Sequence, residues 1–326
     1  MRKLATSLTL ALAGSLWAAS PATSQDMRVV TSWDGSYPPV EVLLHPMMAD
    51  LESALGDGTS IRILGPETIP PFEQLEPVSR GLFDMLYTNG GYHYDNVGIG
   101  VALDTFEKTA SDLRESGIWD LVDEEYQQAG LKLLGILINP GFHILLNEPL
   151  DDSATPFDGS IIRGIPIYHK LTEELGGSPV VLPMPEIYPS LERGVVDGAA
   201  WPTLGAYDAR WFEVADYFTR PTFGQGVQLF LMNLDQWNGL DAERQETILG
   251  VAQDWEDKAA DIMYPVEREE EEALLAEGME ITEFTPEQFE IVRRAYFEAG
   301  IELASQRSPD AAAQLRDLAI EAGLVE

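Results

Sequence analysis

Arg163 is the residue of this chain best placed for binding chemistry. It ends a short β-branched run, Phe157-Asp158-Gly159-Ser160-Ile161-Ile162-Arg163-Gly164. In open parallel sheets, ligands sit beyond the carboxyl ends of the strands. A cation at such an end is therefore the first candidate for a pocket. Trp33 and Tyr37 follow an earlier strand in the same way, and an aromatic residue there serves equally as core or as pocket wall. Asn89 and Tyr92 fall in Met85 to Tyr94, a strand running into a loop dense in glycine, aromatic and polar groups, a common binding composition. Glu67 and Glu73 flank a proline-stiffened turn and are candidates to face the same space. Nothing compact supplies a reaction centre. There is no G-x-S-x-G, Walker, H-E-x-x-H or G-x-G-x-x-G pattern, so neither a nucleophile with its base nor a cofactor is expected. A binding function needs less: a cleft, one or two charged anchors and aromatic walls.

The elements that would hold these residues read as strand, helix, strand, helix, strand between Phe157 and Pro202, the grammar of a parallel sheet. The same grammar occurs earlier, and a motif marks both copies. Glu73 is followed by Arg80-Gly81-Leu82-Phe83-Asp84, and Glu186 by Arg193-Gly194-Val195-Val196-Asp197. Strand and helix order agree around both, so the chain reads as two similar α/β lobes. The expected division is a leader over 1–24, a first lobe over 25–146 and a second over 147–235. A helical region over 236–326 then packs across both, part of it returning to the first lobe. A single helix is expected from Ser111 to Ala129, and Val227 to Met232 reads as a strand returning through the hinge.

The chain has 326 residues, enough for two cores. Arg2 and Lys3, then an apolar stretch from Leu4 to Ala19, then Ala22-Thr23-Ser24 have the pattern of a cleaved secretory signal, so the mature protein is expected to be exported. No other run is long enough to span a bilayer, so no membrane anchor is expected. There is no cysteine, and the four histidines have no ligand-like spacing, which argues against a structural zinc site. The net charge is −35. So acidic a surface argues against nucleic acid and anionic membranes as partners and suits a saline habitat.

The stretch FDGSIIRG…LGGSPVVLPMPEIYPSLERGVVDG resembles the substrate-binding subunits of tripartite ATP-independent periplasmic (TRAP) transporters, of the dicarboxylate-binding type. The match is good over residues 157–202. It is looser over Gly81 to Tyr87 and Phe212 to Leu240. The resemblance implies a periplasmic-binding-protein-like α/β fold with two hinged lobes that close on a small organic anion. It implies a receptor, not an enzyme, with no cofactor, that delivers its solute to membrane permease subunits. Arg163 falls on the arginine that clamps the ligand carboxylate in that family. A guanidinium suits this role, because it gives two parallel charge-assisted hydrogen bonds.

Two positions depart from the family pattern. His143 stands where a second arginine is often found, and Trp201 stands where the family has asparagine. Fewer polar contacts and more aromatic surface point to a monocarboxylate with an apolar or aromatic tail. The alternative is a small zwitterion or amine caged by Trp33, Tyr37, Tyr92 and Trp201, with Glu67 or Glu73 nearby. His143 either bonds the ligand or sits satisfied near the lobe crossing. Tyr188 is pocket wall or core. The rival classes are a periplasmic enzyme and a receptor that signals without transport.

Overall fold

A computed structural model describes residues 25–56 and 58–323. The leader lies outside the described residues. Among the described residues, eleven strands form two sheets. They are β1 (Gln25–Thr31), β2 (Thr59–Leu64), β3 (Met85–Thr88), β4 (Leu131–Asn139), β5 (Phe142–Leu146), β6 (Ile161–Arg163), β7 (Ser178–Val180), β8 (Gly198–Pro202), β9 (Tyr217–Arg220), β10 (Gly226–Asn233) and β11 (Glu280–Glu283). The first sheet runs β2-β1-β3-β10-β4 and the second β11-β9-β5-β8-β6-β7. Within each, two strands flank a central one in parallel, β2 and β3 about β1 and β7 and β8 about β6. The remaining neighbours of β10 and β5 are antiparallel.

Two strands lie across the expected lobe boundaries. β5 belongs to the second sheet, and β10 sits in the first sheet between β3 and β4. All eight residues of β10 are buried, which suits a strand covered on both faces. An apolar run shows that a strand is buried but not which sheet buries it. The chain therefore crosses at Pro140-Gly141 and again between β9 and β10. The crossings run side by side: Phe142 and Phe223 exchange backbone hydrogen bonds of 2.9 and 3.1 Å, and Gly226 N–H donates to Pro140 O at 3.0 Å. The helix Ala242–Ala276 is a third link. It packs on β4, and its last turns lead into β11.

The helix expected from Ser111 to Ala129 is two helices, Ala110–Glu115 and Ile118–Gln128. Gly117, at φ 79°, breaks it in the left-handed region that glycine enters freely. The apolar residues expected inside, Leu113, Ile118, Leu121 and Val122, are buried.

The repeated motif has one geometry in both lobes. In the first, Asp84 N–H donates to Arg28 O, and the Asp84 carboxylate accepts from Arg28 N–H at 2.6 Å. In the second, Asp197 N–H donates to Ile161 O, and its carboxylate accepts from Ile161 N–H at 2.7 Å. Each aspartate thus ties the start of the third strand to the central one. Before it, Phe83 and Val196 point into the core, while Leu82 and Val195 are exposed.

Candidate functional site

Between the lobes lies a small cavity of about 30 Å³, room for about two waters on this scale. It opens into a wider mouth of about 400 Å³, within the range of small-molecule sites. Trp33, Tyr92 and Arg163 border both spaces. The lobes meet closely around them. A side chain at Gly205 would come within 2.9 Å of the Tyr37 ring, and one at Gly91 within 2.5 Å of Ile165 Cδ1. Glycine at both positions lets one lobe approach the other.

Arg163 is 2% exposed. Its Nε and Nη2 donate to Leu182 O at 2.9 and 2.8 Å, and Nη1 donates to Ala200 O at 3.1 Å. A guanidinium has five N–H donors, so two remain for the cavity. Burial works against its charge, yet among the described residues it has no carboxylate within ion-pairing distance. The guanidinium carbon lies 5.1 Å from the centre of the Trp201 ring. That ring is fixed by its Nε1–H bond to Leu204 O at 3.0 Å and by edge contact with Trp211.

The first lobe supplies aromatic wall. Trp33 stacks on Tyr37 with centroids 5.3 Å apart and meets Tyr92 at 5.7 Å. Tyr92 in turn meets the half-exposed Phe72 at the mouth. Trp33 and Tyr37 do not hold the position equivalent to Arg163. Arg163 pairs with Ala199 two residues past Asp197, and Val30 pairs with Leu86 two residues past Asp84. The counterpart of Arg163 is therefore the core residue Val30. β1 runs on past it, and the chain reaches the cavity three residues later, at Trp33.

Six of the ten residues singled out in the sequence meet at this cavity: Arg163, Trp201, Trp33, Tyr37, Asn89 and Tyr92. Asn89 spends its amide internally. Its Nδ2 donates to both Asp104 oxygens, at 3.0 and 2.9 Å, and to Val227 O at 2.9 Å, while Oδ1 caps Gly91 N–H. Glu67 is exposed at the mouth, across from Met184 and Glu186. The other three lie elsewhere. Glu73 is exposed in a side groove with Asn96. Tyr188 donates its hydroxyl to Glu213 at 2.9 Å on the outer face. His143 is buried one residue deeper into β5 than the cavity-lining Phe142, against Phe218. Its Nδ1 faces Arg220 Nη1 at 3.4 Å, and its Nε2 has no partner among the described residues. Burial, and then the Arg220 charge, hold its pKa well below the usual histidine range, so the ring is neutral.

The cavity also uses residues that the sequence reading passed over: Phe142, Tyr168, Gln228 and Asp104. Tyr168 was findable, since it follows Arg163 in the same strand-to-helix turn. Asp104 had a fainter signal, a lone acid inside the apolar stretch from Ile99 to Phe106.

A family profile described as "Bacterial extracellular solute-binding protein, family 7" matches residues 102–302. Curated relatives include the ectoine-binding periplasmic protein TeaA of Halomonas elongata, 26% identical over 159 residues, which are 48% of this chain and 46% of TeaA. The ectoine/5-hydroxyectoine-binding periplasmic protein UehA of Ruegeria pomeroyi is 26% identical over 135 residues, 41% of this chain and 40% of UehA. The match thus spans about half the length of these relatives. Among solved structures, a TRAP periplasmic solute binding protein from Desulfovibrio salexigens with bound orotic acid superposes with a TM-score of 0.81 at 16% identity. The superposition covers 92% of this chain and 99% of that one. That likeness carries the two-lobed periplasmic binding fold. The chain belongs to the extracellular solute-binding protein family 7.

Proposed function

We propose that this family member is an extracytoplasmic solute receptor of a TRAP transporter. It takes a small carboxylate-bearing solute between its lobes, closes on it and presents it to membrane permease subunits. One observation carries this reading: Arg163, buried at a strand end in the interlobe cavity, has two N–H donors to spare and, among the described residues, no carboxylate within ion-pairing distance. A carboxylate would use both donors and supply the missing counter-charge, and these charge-assisted bonds are strong in a water-poor site. The aromatic wall of Trp33, Tyr37, Tyr92 and Trp201 suits a solute with a flat or apolar body. The ligands of two of these relatives agree with this chemistry, since ectoine and orotic acid each carry a carboxylate. Closure follows from contacts that only the closed pair of lobes makes with the solute.

The reading assigns no turnover, so the protein is proposed to act as a receptor and not as an enzyme. Its place is the periplasm, reached through the leader at 1–24. Among the described residues no helix is long and apolar enough to cross a membrane. The test is a thermal-shift screen of small carboxylates on the mature protein, repeated with Arg163→Ala. Carboxylates that stabilise the wild type should leave the variant unmoved. Equal stabilisation of both would remove Arg163 from the site.

A further inference from the structure

The cavity contains a second ionisable group besides Arg163, and the clamp does not use it. Asp104 lies on the turn Leu103–Thr105, is 1% exposed and lines the same cavity as Arg163. Asn89 Nδ2 donates to both of its oxygens. Among the described residues no cationic side chain lies within 4.0 Å of it, Arg163 included. The site thus holds a buried guanidinium and a buried carboxyl group that do not pair with each other directly. Tyr92 and Tyr168 line the same cavity as both groups. Burial pushes the Asp104 carboxyl well above the usual carboxylate range, against the pull of the Asn89 amide and the Val227 backbone.

A plain monoanion on Arg163 would leave an ionised Asp104 as an uncompensated buried charge, or else require it to stay protonated. A solute with a positive group at its other end would favour the ionised Asp104 carboxylate and pair with it while its own carboxylate pairs with Arg163. The ring faces of Trp33, Tyr37 and Tyr92 also favour a cation. Building on the reading of this cavity as the solute site, we infer that Asp104 binds the cationic end of a zwitterionic solute whose carboxylate sits on Arg163. Asn89 is then a positioning residue, because its amide holds both Asp104 oxygens and ties them to β10 through Val227 O.

The test uses matched pairs that exchange a charged nitrogen for carbon: proline against cyclopentanecarboxylate, pipecolate against cyclohexanecarboxylate, and trimethylglycine against 3,3-dimethylbutanoate. Affinities are measured by calorimetry on the full mature protein, on Asp104→Asn and on Arg163→Gln. In the wild type, the preferred zwitterion should bind at least about tenfold tighter than its partner. Asp104→Asn should erase that ratio while still binding the carbon analogue, and Arg163→Gln should lose both members. The wild-type ratio stands as a readout even if Asp104→Asn folds poorly. Equal affinity within every pair, no binding by any zwitterion, or an unchanged ratio in Asp104→Asn overturns the inference. Full binding of both members by Arg163→Gln would instead overturn the reading of the cavity on which the inference rests.

Discussion

In the first lobe, the central strand β1 is tied by Asp84 and carries Val30 two steps further on, with Thr88 at the end of β3. In the second lobe, β6 is tied by Asp197, and the same two positions carry Arg163 and Trp201. The carboxylate bonds of the framework are alike, 2.6 and 2.7 Å, yet one pair is ordinary core and the other a buried cation against an indole, 5.1 Å apart. Where each strand ends accounts for part of the difference. β6 has three residues, so its third is already at the cavity. β1 runs one residue past Val30, to Thr31, and its chain meets the cavity only at Trp33. A duplicated scaffold thus fixes where a strand ends, and the residue at that end decides whether the lobe contributes charge or wall.

The strongest way to break this comparison is to make the second lobe resemble the first at the cavity. Arg163→Ala should weaken carboxylate binding by about 2–5 kcal/mol, roughly 30-fold or more. Its ligand-free thermal midpoint should also fall, since Leu182 O and Ala200 O lose the guanidinium donors, so binding is compared by calorimetry on the folded variant. Calorimetry alongside a melting curve checks both parts.

The framework aspartates should show the reverse pattern. Asp84→Ala should cost about 1–3 kcal/mol of stability, because it leaves the Arg28 N–H unsatisfied beside a buried carboxylate site. Asp197 is exposed, so Asp197→Ala should cost only about 0.5–1.5 kcal/mol. Urea unfolding of the two variants measures the difference, and neither should alter solute selectivity.

The loops beyond the strand ends differ in their response to pH. In the first lobe, a neutral amide, Asn89, fastens the loop. In the second, the Glu270 carboxylate accepts from Gly205 N–H at 2.7 Å and from Tyr207 N–H at 3.0 Å. Burial raises the Glu270 pKa from 4.5 to about 7, against the pull of those bonds. The folded state therefore holds this proton more tightly than the unfolded state. Its contribution to stability is complete below pH 4.5 and lost as the pH rises to about 7. Urea midpoints across that window should fall more steeply for the wild type than for Glu270→Gln. Parallel slopes would contradict the assignment.

The smallest effect is expected at the outward residues of the motif. Leu82 and Val195 are 57% and 52% exposed. Leu82→Ser and Val195→Ser should each move stability by no more than about 0.5 kcal/mol.

Much of this arrangement could be read from local pattern. The repeated R-G-x-x-D segment marks a helix end, a turn and a strand start, all short-range features. The strand-end rule led to Arg163, Trp33, Asn89 and Tyr92. What escaped was set at long range. The run Val227–Met232 is buried in either sheet, and only its pairing with β3 and β4 decides which. Histidine at 143 matched a family position, but its place one residue inside β5 sets it against Phe218. Glu67 and Glu73 were drawn from a turn whose outward side could not be told from its inward one. Asp104 was hidden because a single acid in an apolar stretch shows neither its burial nor its neighbours.

The most direct measurement is native mass spectrometry of the mature protein as purified, with any released small molecule identified, beside the same preparation of Arg163→Ala. The account predicts a bound carboxylate in the wild type and none in the variant. Equal occupancy in both, or a released solute with no carboxylate, would contradict it.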